Sequence, residues 1–129
     1  NTTLVHFSTA STATDLNVVN NTAVNSAASG YLVTNQTSAA ANIANNFMVG
    51  TMKMLNGPGK DLGGNKVGAL TNLVAPSTYN YRLKPGAPAI NAGVTPPSGS
   101  VPQFEYVDTA TSKARAVNGT IDSGAFEFQ

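Results

Sequence analysis

Four acids near the end of the chain, Glu105, Asp108, Asp122 and Glu127, are the residues whose type and spacing could do chemistry. Several carboxylates brought together hold calcium, and two brought together can work as acid and base on a glycosidic bond. Glu105, Asp108 and Asp122 are the calcium candidates, joined by Glu127, provided that the segment carrying them folds back. No D-x-[DN]-x-[DN] loop gathers them in sequence. The competing expectation is a structural ion pair of Arg115 with Asp122 or Asp108. Apart from that calcium, the residues call for no cofactor.

Upstream, the means of catalysis run out. Between Leu16 and Gly59 the one charged residue is Lys53, so no carboxylate pair stands there for lyase or glycosidase chemistry. His6, the sole histidine, alternates with Val5 and Phe7 and has neither Cys nor carboxylate nearby, which reads as a partly covered strand residue. GPGKDLGGNK, residues 57–66, is glycine-rich and contains Lys60, but it lacks phosphate-loop spacing and no helix pattern follows it. It reads as a loop leaving the last regular repeat. No G-x-S-x-G turn sharpens a serine into a nucleophile.

Sugar binding draws on aromatic platforms. Trp is absent, which leaves Tyr31, Tyr79, Tyr81 and Tyr106 as glycan candidates, although Tyr rings also pack in cores or cap them. N-x-S/T sequons at Asn1, Asn20, Asn35 and Asn118 would matter in a eukaryotic secretory route. In an Asn- and Thr-rich chain they also arise from composition.

The elements that must position these groups are short strands. NVVNNTAVN, residues 17–25, returns as NIANNFMVG, residues 42–50, at an offset of 25, matching both apolar and amide positions. A fixed period of this size marks stacked units that cover one another's apolar faces. Helix formers are sparse and no 3.6-residue periodicity persists, so strands are expected at 4–7, 16–19, 22–24, 31–33, 41–43 and 47–49. Stacked in register they describe an all-β parallel β-helix, with coils in 1–78 and a C-terminal capping tail in 79–129. Val18 over Ile43 and Val24 over Val49 are expected to point inward as aliphatic ladders. Asn20 over Asn45 and Asn21 over Asn46 are expected to form amide ladders, because Asn tolerates a left-handed corner and its amide can bond its copy one turn away.

Composition limits the partners. Across 129 residues, charged side chains are 10% and the net charge is +1, so no basic patch recruits nucleic acid. No apolar run approaches a membrane span. Cysteine is absent, and the low charge with abundant amides favours an extracellular or cell-surface setting. The chain starts at Asn1 rather than Met, which reads as a processed mature protein or a piece of a longer one.

The repeated pair resembles coils of right-handed parallel β-helix proteins of the pectate-lyase-like superfamily. YRLKPGAPAINAG, residues 81–93, resembles the "L-x-PGSPAIDAG" segment near the end of many bacterial secreted members, and IDSGAFEF, residues 121–128, their closing "DIGAFE". Ala87, Asn91 and Ser123 depart from that pattern. The resemblance implies a right-handed parallel β-helix, but the acid cluster with a Lys or Arg base that serves lyases of the superfamily has no counterpart here. Two roles follow. One is a non-catalytic extracellular module that assembles, as filament or surface component, with copies of itself or with upstream coils of a larger protein, because the tail caps one end and leaves the other open. The alternative is the C-terminal part of a secreted polysaccharide-degrading enzyme whose active site lies upstream. A carbohydrate-binding adhesin module using exposed Tyr and Asn is a third.

Overall fold

The computed structural model describes residues 3–108 and 110–129. The sequon at Asn1 lies outside the described residues. Nine strands come first: β1 (Thr3–Phe7), β2 (Leu16–Val19), β3 (Thr22–Asn25), β4 (Tyr31–Asn35), β5 (Ala41–Ala44), β6 (Phe47–Gly50), β7 (Lys53–Asn56), β8 (Gly59–Gly63) and β9 (Lys66–Gly68). They form three parallel three-stranded sheets, β1-β4-β7, β2-β5-β8 and β3-β6-β9. The chain therefore visits three sheets in the same rotation three times. The fold is all-β, and its parallel sheets are compatible with a β-helix.

The 25-residue offset has a structural meaning. Leu16 pairs with Ala41, Val18 with Ile43, Thr22 with Phe47 and Val24 with Val49, so the first copy lies on the second residue for residue. The third pass is shorter: Ala41 pairs with Gly59 and Phe47 with Lys66, offsets of 18 and 19. It passes through GPGKDLGGNK, so this stretch is not the departing loop that its glycines suggest but holds β8 and opens β9.

Two cores result. The inner one gathers Leu16, Val18, Ala23, Leu32, Val33, Ala41, Ile43 and Met48 from all three sheets. The outer one joins Phe47 and Val49 to Leu73, Leu83, Ala87 and Ala89, with Val24 and Phe128 packed against it. Val24 and Val49 therefore stack as expected but do not point inward with Val18 and Ile43. The turn at the paired asparagines resets the alternation: Ala23 and Met48 join the inner cluster, so their neighbours face the other way.

That outward face is what the remaining chain covers. β10 (Leu73–Ala75), framed by short 3-10 turns at 70–72 and 76–78, pairs antiparallel with β11 (Asn80–Leu83), as β12 (Phe104–Val107) does with β13 (Thr111–Ala114). The tail does not cap an end. It straps the side of the stack, touching every pass at one corner: Asn20 Nδ2 donates to the Asp122 carbonyl, Gly124 N–H to the Asn45 carbonyl, and Ser123 Oγ–H to the Gly64 carbonyl at 3.1, 2.6 and 2.5 Å. Among the described residues, each of β1, β2 and β3 at one end, and β7, β8 and β9 at the other, has a single sheet neighbour, so neither rim is paired with a further strand.

Candidate functional site

The paired asparagines divide the work. Asn20 and Asn45 sit at φ of 52° and 56°, the left-handed region that few residues other than Gly and Asn enter cheaply. Their amides turn toward the tail: Asn45 Oδ1 accepts from the Val94 N–H and its Nδ2 donates to the Val94 carbonyl, both at 2.7 Å. Gly64, at φ 69°, takes this corner in the third pass, where a Cβ would run into Asn45 Oδ1. The direct Asn45 to Asn20 amide contact is long, 3.4 Å.

The second asparagine of each pair builds the tighter ladder. Asn21 N–H and Nδ2 both donate to Asn46 Oδ1 at 3.0 Å. Asn46 N–H and Nδ2 both donate to Asn65 Oδ1 at 2.9 Å. Each Nδ2 also donates to the carbonyl two residues back in Asn21 and Asn46, and Asn46 and Asn65 reach the Val18 and Ile43 carbonyls of the preceding pass. Asn65 was hidden to sequence reasoning because the third pass breaks the period. The signal was nonetheless there, since Gly64-Asn65 is the Asn-Asn pair with its left-handed member replaced by glycine.

The ladder has a direction. Each rung accepts through Oδ1 from the previous pass and donates its own N–H to the next. Among the described residues, Asn21 Oδ1 receives no hydrogen bond and the Asn65 N–H gives none, so one rim ends in a free acceptor and the other in a free donor.

Asn25 and Asn35 form a further unforeseen pair. Each Oδ1 accepts the N–H two residues on, from Ala27 and Thr37, and each Nδ2 donates to the carbonyl four residues on, of Ser29 and Ala39. Each also donates to the next pass, at Thr51 and Pro58. Asn20 and Asn35 are thus buried and committed, which leaves Asn118 as the exposed sequon among the described residues.

The acids are used within the tail. Glu105 is buried between Arg82 at 3.2 Å and Lys113 at 3.5 Å and accepts the Glu127 N–H. Burial alone would raise its carboxyl, but that N–H, Arg82 and Lys113 outweigh it and hold the group below the ordinary range. Asp122 accepts the Asn91 and Phe128 N–H groups, both at 2.6 Å. Arg115 pairs with Glu127 at 2.6 Å, not with Asp122 or Asp108, and meets Asp122 only at its carbonyl. Burial pushes the Glu127 carboxyl up, against the pull of Arg115. Asp108 lies apart and exposed, bonded to the Tyr106 hydroxyl at 3.3 Å. Among the described residues no three His, Cys, Asp or Glu side chains form a group that could hold a metal, so Glu105, Asp108 and Asp122 do not converge as a calcium site.

Three of the four tyrosines do converge. Tyr79, Tyr81 and Tyr106 line one groove of about 590 Å³ with Arg82, Asp108 and Phe126. Tyr31 lies elsewhere, beside Lys53, whose ammonium sits 6.0 Å from the ring centre. His6 is an exposed residue of β1 bonded to Gln36. Among the described residues no helix is long and apolar enough to cross a membrane.

No protein-family model, curated protein or solved structure matches this chain.

Proposed function

We propose that the three passes are coils of a right-handed parallel β-helix, and that the protein is a non-catalytic, extracellular structural module assembling head to tail with further coils of the same build. The directional asparagine ladder carries this reading. A stack with a free acceptor at one rim and a free donor at the other extends itself when a second copy places its Asn21 over Asn65 of the first. The same step sets β1 on β7, β2 on β8 and β3 on β9, so each sheet continues. It also covers Val5 and Phe7 at one rim with Met54 and Leu55 at the other, all left half-buried. Upstream coils of a larger surface protein would meet the first rim by the same bonds. The PGAPAINAG and closing GAFEF segments, resembling those of secreted β-helix proteins, favour the extracellular setting.

A chain carrying His6→Cys and Asn56→Cys, exposed residues that flank Thr34 from the first and third passes and leave the asparagine ladder intact, tests the contact. Within one molecule these positions are two strand spacings apart, roughly 10 Å, beyond disulfide reach. Between stacked copies they are neighbours. Mild oxidation is expected to give a ladder of covalent multimers on a non-reducing gel, absent from either single variant. Monomers with both thiols free at millimolar chain concentration would refute assembly between copies.

A further inference from the structure

We propose that the groove beside the 3-10 turn at 76–78 is a binding site for a neutral oligosaccharide, separate from the assembling rims. Its walls are amphipathic. Tyr79 and Tyr81 meet edge to face with ring centres 6.3 Å apart, Tyr106 lines the groove with them, and Phe126 carries the Arg82 guanidinium 5.0 Å above its ring. Two right-angled rings give a corner whose faces suit the C–H side of a sugar, while the hydroxyls at their edges suit its polar rim. Such side chains lose little conformational entropy when a ligand arrives. The volume is in the range of small-ligand clefts, with room for more than one sugar ring.

Tyr79 is the pointer. It is 82% exposed and held at φ 60°, a conformation costly for a bulky residue. Its N–H closes the turn to the Pro76 carbonyl, a bond that glycine could make without strain. Exposed apolar area on a strained backbone adds nothing to the fold. Strained residues concentrate where a ligand is held.

The charges select the ligand. Arg82 donates to Glu105 and to the Tyr106 carbonyl, at 3.2 and 3.4 Å, so its cation is already committed. Asp108 is paired with no cation among the described residues, so it accepts hydroxyls and repels carboxylates. A neutral sugar satisfies both and an anionic one does not.

Affinity electrophoresis through gels containing hydroxyethyl cellulose, laminarin, galactomannan or polygalacturonate tests the site. Retardation by at least one neutral polymer is expected, weakened about tenfold by Tyr79→Ala or Tyr106→Ala and unchanged by Tyr31→Ala. Both groove residues are exposed, so melting temperatures should stay at the parent value and separate lost binding from lost fold. No retardation in any neutral gel, retardation by polygalacturonate alone, or retardation that both groove variants keep would overturn the assignment.

Discussion

The two faces of the β3-β6-β9 sheet are built on different principles. Inside, Ala23 and Met48 join an aliphatic cluster that exists because successive passes repeat. Outside, Phe47 and Val49 are covered by a tail with no repeat, tied down by amides, backbone groups and buried carboxylates. The inner core needs only the right side chains at the right period. The outer core needs particular partners, so a change there should release one segment rather than the whole molecule.

Aspartate substitution on either face is the sharpest way to break that contrast. Ile43→Asp places an unpaired carboxylate in the inner cluster and is expected to cost more than about 4 kcal/mol, abolishing the β-sheet circular dichroism signal. Val49→Asp is expected to leave much of that signal while exposing residues 70–129 to limited proteolysis. Equal loss of both regions in the two variants would show that stack and tail fold as one unit.

Asn46→Ala comes next. It strands the Asn21 N–H, at about 1–3 kcal/mol for an unsatisfied donor, and removes second bonds to the Val18 and Ala44 carbonyls, so it should lower the melting temperature by about 5–10 °C. Asn45→Gly keeps the left-handed corner but loses the Val94 clasp, so its loss should be smaller and confined to the tail.

Acid sensitivity gives a third, smaller effect. Because the folded Glu105 carboxyl lies below its ordinary value, its ionised form stabilises the protein above the ordinary carboxylate range, and that stability is lost as pH falls through the folded value. The raised Glu127 carboxyl acts in the opposite sense at higher pH, so comparison with Glu105→Gln isolates Glu105. The variant should be less stable at neutral pH, and its stability should converge on the parent's in urea titrations as pH falls through the folded Glu105 value. The smallest effect is expected from Tyr79→Gly, which relieves the left-handed strain and should leave the melting temperature unchanged or raise it by a few degrees.

Much of the first two passes was legible. Val18 over Ile43, the doubled asparagines and four of the six strand positions follow from one repeated nonapeptide, since in-register parallel pairing makes sequence period and spatial neighbour the same thing. The facing of Val24 and Val49 was not, because a left-handed corner shifts the alternation by a residue and strand pattern alone carries no phase across it. The third pass was lost where glycines shorten the period. The burial of Glu105 and Asp122 was not legible either, because Arg82 and Asn91, which help to hold them, lie 23 and 31 residues away in sequence. The Tyr79, Tyr81 and Tyr106 groove likewise depends on β11 and β12 meeting, which spacing does not encode.

The glycines of the last pass also set where the molecule yields. Gly59, Gly63, Gly64 and Gly68 stand where earlier passes carry Ala41, Ala44, Asn45 and Val49, so this pass contributes less buried surface and stiffens the chain less. Tugging on the protein or warming it should loosen β8 and β9 before β5 and β6. Such a pliable terminal layer can adjust its outline to whatever is laid on it, while the firm middle layer keeps the shape that the tail grips.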